Sequence, residues 1–212
     1  MATSAARSRR LTAALCLALA AGFGWGLQRW THGFEVWTFE GRRLRQIETG
    51  ALTAAPVALR DADDAEPRLW RPDAAAPAAY LVDFIYTRCP GVCRALGSEY
   101  QQMQHRLPAG VRLVSISFDV AHDDPAALRR AAAAVHADPA RWTFAVPATA
   151  DEASALLGSL GVVVVPDGAG GFVHNGSIHL LDARGQLRGL YELDEWPQAL
   201  AAARRLAGGA AS

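Results

Sequence analysis

Cys89 and Cys93 stand with three residues between them in the run DFIYTRCPGVCRALG, residues 83–97. Four residues of helix rise about 6 Å, within the Cα separation that a disulfide bridges. Arg88 and Arg94 flank the pair directly, and Pro90 and Gly91 relax the loop between the two cysteines. A mostly apolar run of strand length, residues 80–86, precedes the pair, and a helical pattern follows from about Cys93 to Arg106. The cysteines therefore fall on a turn from strand to helix. The unpaired N–H groups and partial positive charge of a helix N-terminus favour thiolate over thiol there, as do the two arginines. A disulfide, a bound metal and a redox couple all fit such a pair. A bridge closing so small a loop restricts the unfolded chain little, which weighs against a purely structural disulfide.

Two adjacent thiolates select soft ions such as Cu(I). A structural zinc site wants four protein ligands, and the third cysteine, Cys16, lies far off in an N-terminal apolar run. For three-coordinate copper, one histidine is enough. The six histidines are His32, His105, His122, His136, His174 and His179. His105 and His136 fall near helix ends and read as solvated. His122 sits in a polar turn before a helix, and His179 alternates within a strand as a packing residue. His174 differs, because it follows the loop Pro166-Asp-Gly-Ala-Gly-Gly171 and leads into a strand that such a fold runs beside the cysteine turn.

The elements that must position these residues follow from the hydrophobic pattern. Residues 55–70 read as a strand, an acidic turn (Asp61-Ala-Asp-Asp-Ala-Glu66) and a second short strand, followed by an alanine- and proline-rich loop over 71–77. Residues 80–86 are apolar enough for a central strand covered on both faces. Val111–Phe118 is the next strand, then a helix over Asp124–Ala137 with Asp123 or Asp124 as N-cap and Pro125 in its first turn. A short strand over Trp142–Val146 and a helix over Thr149–Leu160, capped by Thr149 with Glu152 three residues on, come next. Ser177–Asp182 and Leu187–Tyr191 form a hairpin, and Asp194–Leu206 is a last helix. Strands alternating with helices, then a closing hairpin and helix, predict an α/β fold: a thioredoxin-like sandwich with a central mixed sheet flanked by helices. The cysteine turn lies at the carboxyl end of a central strand, where chemistry gathers in such sheets.

The N-terminus stands apart. Arg7, Arg9 and Arg10 precede an uncharged apolar run from Leu11 to Leu27, with Trp25 and Trp30 at interfacial positions. That run spans roughly 25 Å as a helix. Arginines before it put the N-terminus in the cytoplasm and the rest outside. The run reads as an uncleaved anchor, with a signal peptide cut near Ala18-Leu19-Ala20 as the other reading. Either exports the domain, to the periplasm in a bacterium, where thiols tend to be oxidised. Cys16 reads as a membrane-buried apolar residue. The expected organisation is a membrane anchor or signal segment over 1–30, a juxtamembrane linker over 31–55 and a thioredoxin-like domain over 56–212. Across the 212 residues the net charge is zero, so nothing argues for nucleic-acid binding.

Tyr86-Thr-Arg-Cys-Pro-Gly-Val-Cys93, Ser115-Ile-Ser-Phe-Asp119 with Asp124-Pro125, and His174 in the run HNGSIHLLDARG together resemble the SCO/SenC proteins. These are membrane-anchored, thioredoxin-like copper chaperones that help metallate the dinuclear copper site of cytochrome c oxidase. The resemblance covers roughly residues 56–206. It implies that Cys89, Cys93 and His174 bind copper, that Asp119 matches the family's aspartate after the second strand, and that the partner is the copper-binding subunit of the oxidase, with other periplasmic thiol or copper proteins as further candidates. It also implies a place in the bacterial inner membrane, with the soluble domain in the periplasm. Two positions depart from the family pattern: Arg94 stands where proline usually follows the second cysteine, and Val173 precedes His174 in place of aspartate.

Asp83 lies six residues before Cys89 in VDFIYTRC, a run similar to thioredoxin itself, in which a buried aspartate assists proton transfer at the cysteine pair. An acid in a strand covered on both faces is costly unless paired or functional. Asp83 therefore either meets a nearby arginine or hydroxyl, or accepts a proton from Cys93. Two functions stay open on the residues. One is a copper metallochaperone working by ligand exchange, which needs no turnover chemistry. The other is a thiol–disulfide oxidoreductase using Cys89 and Cys93 as its redox pair. A peroxide-reducing enzyme is a weaker third, since the spacing does not single out Cys89.

Overall fold

The structure, a computed structural model, describes residues 2–30, 45–47, 49–67, 69–70, 77–89, 92–174 and 176–209, with the backbone alone at 2–8 and 92–96. The chain divides into two compact units, Met1–Gln46 and Ile47–Ser212. In the first, helix α1 runs over Ala2–Trp30, and its stretch Arg9–Trp30 is long and apolar enough to cross a membrane. The linker region over 31–44, with His32, lies outside the described residues, as does the expected loop over 71–76.

The second unit is organised around strand β2, Ala79–Ile85, every residue of which is buried. Branched and aromatic side chains on both faces suit this central place. β2 pairs in parallel with β3, Val111–Ser117, and β3 in parallel with β4, Trp142–Pro147. β1, Leu59–Asp61, closes that edge antiparallel to β4. On the other side β2 pairs antiparallel with β7, Ile178–Asp182, which turns into β8, Leu187–Tyr191. The six-stranded order is β1-β4-β3-β2-β7-β8. Helices α2 (Val92–Gln104), α3 (Pro125–Ala134), α4 (Ala150–Ser159) and α5 (Trp196–Gly209) complete the unit. One core face gathers Leu81, Ile85, Tyr100, Met103, Leu113 and Trp142. The other gathers Tyr80, Val82, Phe84, Ile116, Phe118 and Leu156. This is the mixed sheet between helices that the sequence predicts.

Four local differences have physical causes. The acidic turn forms, with Asp61 Oδ1 accepting from the amides of Asp63 and Ala65, but among the described residues no second strand follows it. Trp70 instead takes a left-handed φ of 50°. Helix α3, capped by Asp124 accepting from Ala127 N, stops at Ala134 because His136 turns left-handed at φ 52°. The last helix opens with a 3₁₀ turn over Leu193–Glu195. Residues 167–171 are the turn of a separate two-stranded hairpin, β5 (Val164–Pro166) with β6 (Phe172–His174). Asp167 Oδ1 accepts from the amides of Ala169 and Gly171 to close it, and Gly170 supplies a φ of 89°. His174 is therefore the last residue of a strand, paired with Val164, and not a loop residue.

Candidate functional site

The cysteine turn grows from the carboxyl end of β2. Phe118 N donates to Ile85 O, tying the exit of β3 to that of β2, and Cys89 N donates to Tyr86 O at 3.2 Å, closing the turn. Cys89 is half-buried and packs against the second core face. Helix α2 starts at Val92, so Cys93 lies in its first turn, where free N–H groups and the helix dipole favour a thiolate. The Cys93 side chain lies outside the described residues. Among the described residues, no three His, Cys, Asp or Glu side chains stand together as a ready metal cage.

Three acids hold this region, each differently. Asp123 is 3% exposed. Its Oδ2 accepts from Thr87 N at 2.8 Å and Ser117 Oγ at 2.5 Å, and its Oδ1 accepts from Thr87 Oγ1 at 2.6 Å. It thereby fastens the residue two before Cys89 to the end of β3. Asp119, also buried, accepts from Arg88 Nη2 at 2.9 Å and lies 2.8 Å from His122 Nδ1. Burial pushes the Asp119 carboxyl up, but the hydrogen bonds from His122 and Arg88 outweigh it and hold the group below the usual carboxylate range. Arg88 is thus turned toward Asp119 and His122, beside the first cysteine.

Asp83 is the third acid, 2% exposed and level with Ser115 in the β2–β3 register. Ser115 Oγ donates to it at 2.6 Å and accepts from the Trp142 indole N–H at 2.9 Å. Burial raises the Asp83 carboxyl to about 7, against the smaller lowering from Ser115. The hydroxyl partner is the one the sequence allows for. Asp83, Ser115, Thr87 and Cys89 all line one cavity of about 220 Å³, whose far wall includes Gly97 and Val135.

His174 reaches the same end of the sheet through aromatic rings. Its ring meets Phe118 edge-on at 5.2 Å and Tyr86 at 6.4 Å between centroids. Tyr86 packs edge-on against Phe172 at 5.2 Å, and its hydroxyl lies 3.4 Å from Phe172 N and 3.5 Å from Phe172 O. β6 is therefore stapled to the residue three before Cys89. The structure brings the Cys89 turn, the start of α2 and the His174 strand to one end of the sheet. The remaining described histidines lie where the sequence puts them: His105 and His136 are exposed. His179 is fully buried, edge-on to Phe84 with Nδ1 3.1 Å from Ser177 O.

Sequence reading missed the Asp123–Thr87–Ser117 clamp and the Tyr86–Phe118–Phe172 ring cluster. Asp123 was visible only as a rival N-cap beside Asp124, and its surplus carboxylate was the one available signal.

A mixed six-stranded sheet between helices, with its chemistry at the carboxyl end of β2, defines a thioredoxin-like protein. The chain belongs to the SCO1/SenC family, whose profile matches residues 64–207. A SCO1 protein homolog of Bacillus subtilis (strain 168) is 28% identical over 113 residues, 51% of this chain and 58% of that protein. That match spans little more than half of the relative's length. The structure of BsSco, a member of the Sco family of cytochrome c oxidase assembly proteins reported with a disulfide switch, has a TM-score of 0.63 at 21% identity, covering 74% of this chain and 94% of that one. Copper-bound ScoI of Bradyrhizobium japonicum has a TM-score of 0.60 at 23% identity, covering 73% and 99%.

Proposed function

We propose that this protein is a copper metallochaperone that delivers copper to the dinuclear copper site of cytochrome c oxidase during assembly. Cys89, Cys93 and His174 are its copper ligands. The observation that carries this reading is the stapling of the His174 strand, through Tyr86, to the turn that bears Cys89. Copper is cargo here. Two thiolates and one imidazole make a soft donor set suited to Cu(I). Handover proceeds by ligand exchange: a thiolate of the partner replaces one ligand at a time, and the released Cys89 or Cys93 takes up a proton. Copper in the related ScoI structure and the assembly role of the Sco family support the reading.

In this account residues 1–30 anchor the protein in the bacterial inner membrane, 31–55 link the anchor to the domain, and 56–212 work in the periplasm. The partner is the copper-binding subunit of the oxidase, with other periplasmic thiol or copper proteins as further recipients. The test is transfer from the copper-loaded full chain, in detergent, to the metal-free copper domain of an oxidase subunit. Transfer that fails after His174→Ala supports the proposal. Equal transfer by both proteins contradicts it.

A second reading, a thiol–disulfide oxidoreductase using Cys89 and Cys93, is favoured by one observation. The buried Asp83 shares a cavity with Cys89, an arrangement that serves thiol chemistry more than metal binding. Reduction of a partner disulfide that survives His174→Ala is the result expected of that reading.

A further inference from the structure

The second unit keeps its large apolar side chains inside, with one exception. Among its described residues, the exposed large hydrophobics are Val163, Val165 and Val173, at 63%, 52% and 66%. All three belong to the β5–β6 hairpin and its approach. Val165 and Val173 are direct cross-strand partners, so their side chains stand side by side on one face. The opposite face carries Val164, Phe172 and His174. Val164 and Phe172 pack on the second core face, and His174 packs against Phe118. Strand alternation thus gives the hairpin one anchored side and one exposed apolar side.

The fold does not ask for valine there. Threonine has the same branched shape and suits an exposed strand face equally well. Single exposed apolar residues need no explanation, but a cluster does. Charge is missing as well. Between Glu152 and Asp182 the chain holds one charged residue, Asp167, and its Oδ1 closes the turn. What covers this face is therefore uncharged and apolar. A membrane surface is a poor match, since segments that lie on it carry Lys or Arg beside their apolar residues. A second copy is a poor match too. Together the three valines expose on the order of 300 Å², well below the roughly 800 Å² per partner of a stable dimer. An area of that size suits a brief encounter with another protein. Position identifies which one: Val173 immediately precedes His174, and ligand exchange brings the recipient's thiolates to the metal on that histidine.

We infer that the outer face of the β5–β6 hairpin, formed by Val163, Val165 and Val173, is the docking surface for the copper-accepting domain, which meets it with an uncharged apolar rim around its own metal-binding loop. The partner's identity rests on the copper reading above. One strand then serves twice: its inner face presents His174 to the metal, and its outer face holds the recipient while ligands exchange. Contact without charge gives no electrostatic steering, so the encounter is insensitive to salt.

The test uses the full chain in nanodiscs of zwitterionic lipid, with the metal-free copper domain of an oxidase subunit as the probe. The double variant Val165→Thr/Val173→Thr keeps the strand-favouring shape and turns two exposed methyls into hydroxyls. The second-order rate of copper transfer should fall about tenfold, while Cu(I) affinity changes less than about twofold. The unsubstituted protein's rate should stay within about twofold from about 50 to 500 mM salt. An unchanged rate in the variant, a steep salt dependence, or a loss of Cu(I) affinity that matches the loss of rate would each overturn the proposal. A copper-free measurement stands beside it. With valine methyls labelled for NMR, the metal-free recipient should shift Val163, Val165 and Val173 and leave the buried Val82 and Val114 unmoved. No shift at the three would overturn the proposal. So would shifts that follow the protein's own concentration, which mean a second copy, or relaxation by a spin-labelled lipid, which means the membrane. The copper reading fails separately. If the recipient shifts the three methyls yet takes copper equally well after His174→Ala, the docking surface stands and the ligand assignment falls.

Discussion

Asp83 and Asp123 are both buried acids at the carboxyl end of the central strands, yet their surroundings differ. Asp123 accepts three hydrogen bonds, two from Thr87 and one from Ser117. Asp83 accepts one side-chain hydrogen bond, from Ser115, and borders a cavity. The number of donors decides what a buried carboxyl is for. With three, the acid works as a clamp between the turn and β3. With one, desolvation dominates and the acid becomes a group that holds or gives up a proton near neutral pH. The clamp fixes where Cys89 stands. The other acid lines the cavity that reaches Cys89.

The sharpest way to break this contrast is Asp123→Ala. It strands the Thr87 amide and two hydroxyls without their acceptor, at about 1–3 kcal/mol each when they stay buried. We expect a loss of about 3 kcal/mol or more in chemical denaturation, and faster alkylation of Cys89 as its turn loosens. A change below about 0.5 kcal/mol would mean the clamp is redundant.

Asp83→Asn is expected to do the opposite. The folded carboxyl titrates near 7 against 3.8 for the ordinary group, so at pH between these values the native state binds more protons than the unfolded chain. Stability is therefore greatest below about pH 4 as far as this group is concerned, and falls as pH rises through 7. The full effect is on the order of 4 kcal/mol, reached above pH 8. Asparagine keeps the Ser115 hydrogen bond without the charge, so the variant should be more stable than the unsubstituted protein at pH 8 and lack this pH dependence. Parallel stability curves from pH 4 to 8 would show that Asp83 is not held as an uncompensated acid.

The smallest expected effect tests the link between the cysteine turn and the hairpin. Tyr86→Phe removes the hydroxyl beside Phe172 but keeps the rings that enclose His174. The contacts are long, so a loss of about 0.5–1 kcal/mol is expected in thermal or denaturant unfolding. A much larger loss would mean that the hydroxyl, and not ring packing, holds β6 in place.

The cysteine turn, the central strands and the helix caps at Asp124 and Thr149 were legible in sequence because each is local: a strand-length apolar run, a cap residue, a motif of a few positions. The clamp was not legible. Thr87 and Asp123 are 36 residues apart and Asp83 and Ser115 are 32 apart, and only the parallel register of β2 and β3 joins them. The cavity was invisible for the same reason, since Cys89, Ser115, Gly97 and Val135 come from four separate elements. The β5–β6 hairpin escaped because its strands are three residues long and its turn is rich in glycine, which reads as loop. In sequence His174 therefore reads as the residue that leads into a strand, whereas it closes one.

The most direct test of the account is a Cu(I) competition titration of the reduced full chain in detergent against a chromophoric chelator, run beside His174→Ala and Cys89→Ser. The account predicts one tightly bound copper, weakened in each variant by more than the roughly 10–100-fold that loss of an outer-shell partner causes. Copper binding that is absent, or unchanged by His174→Ala, would contradict it.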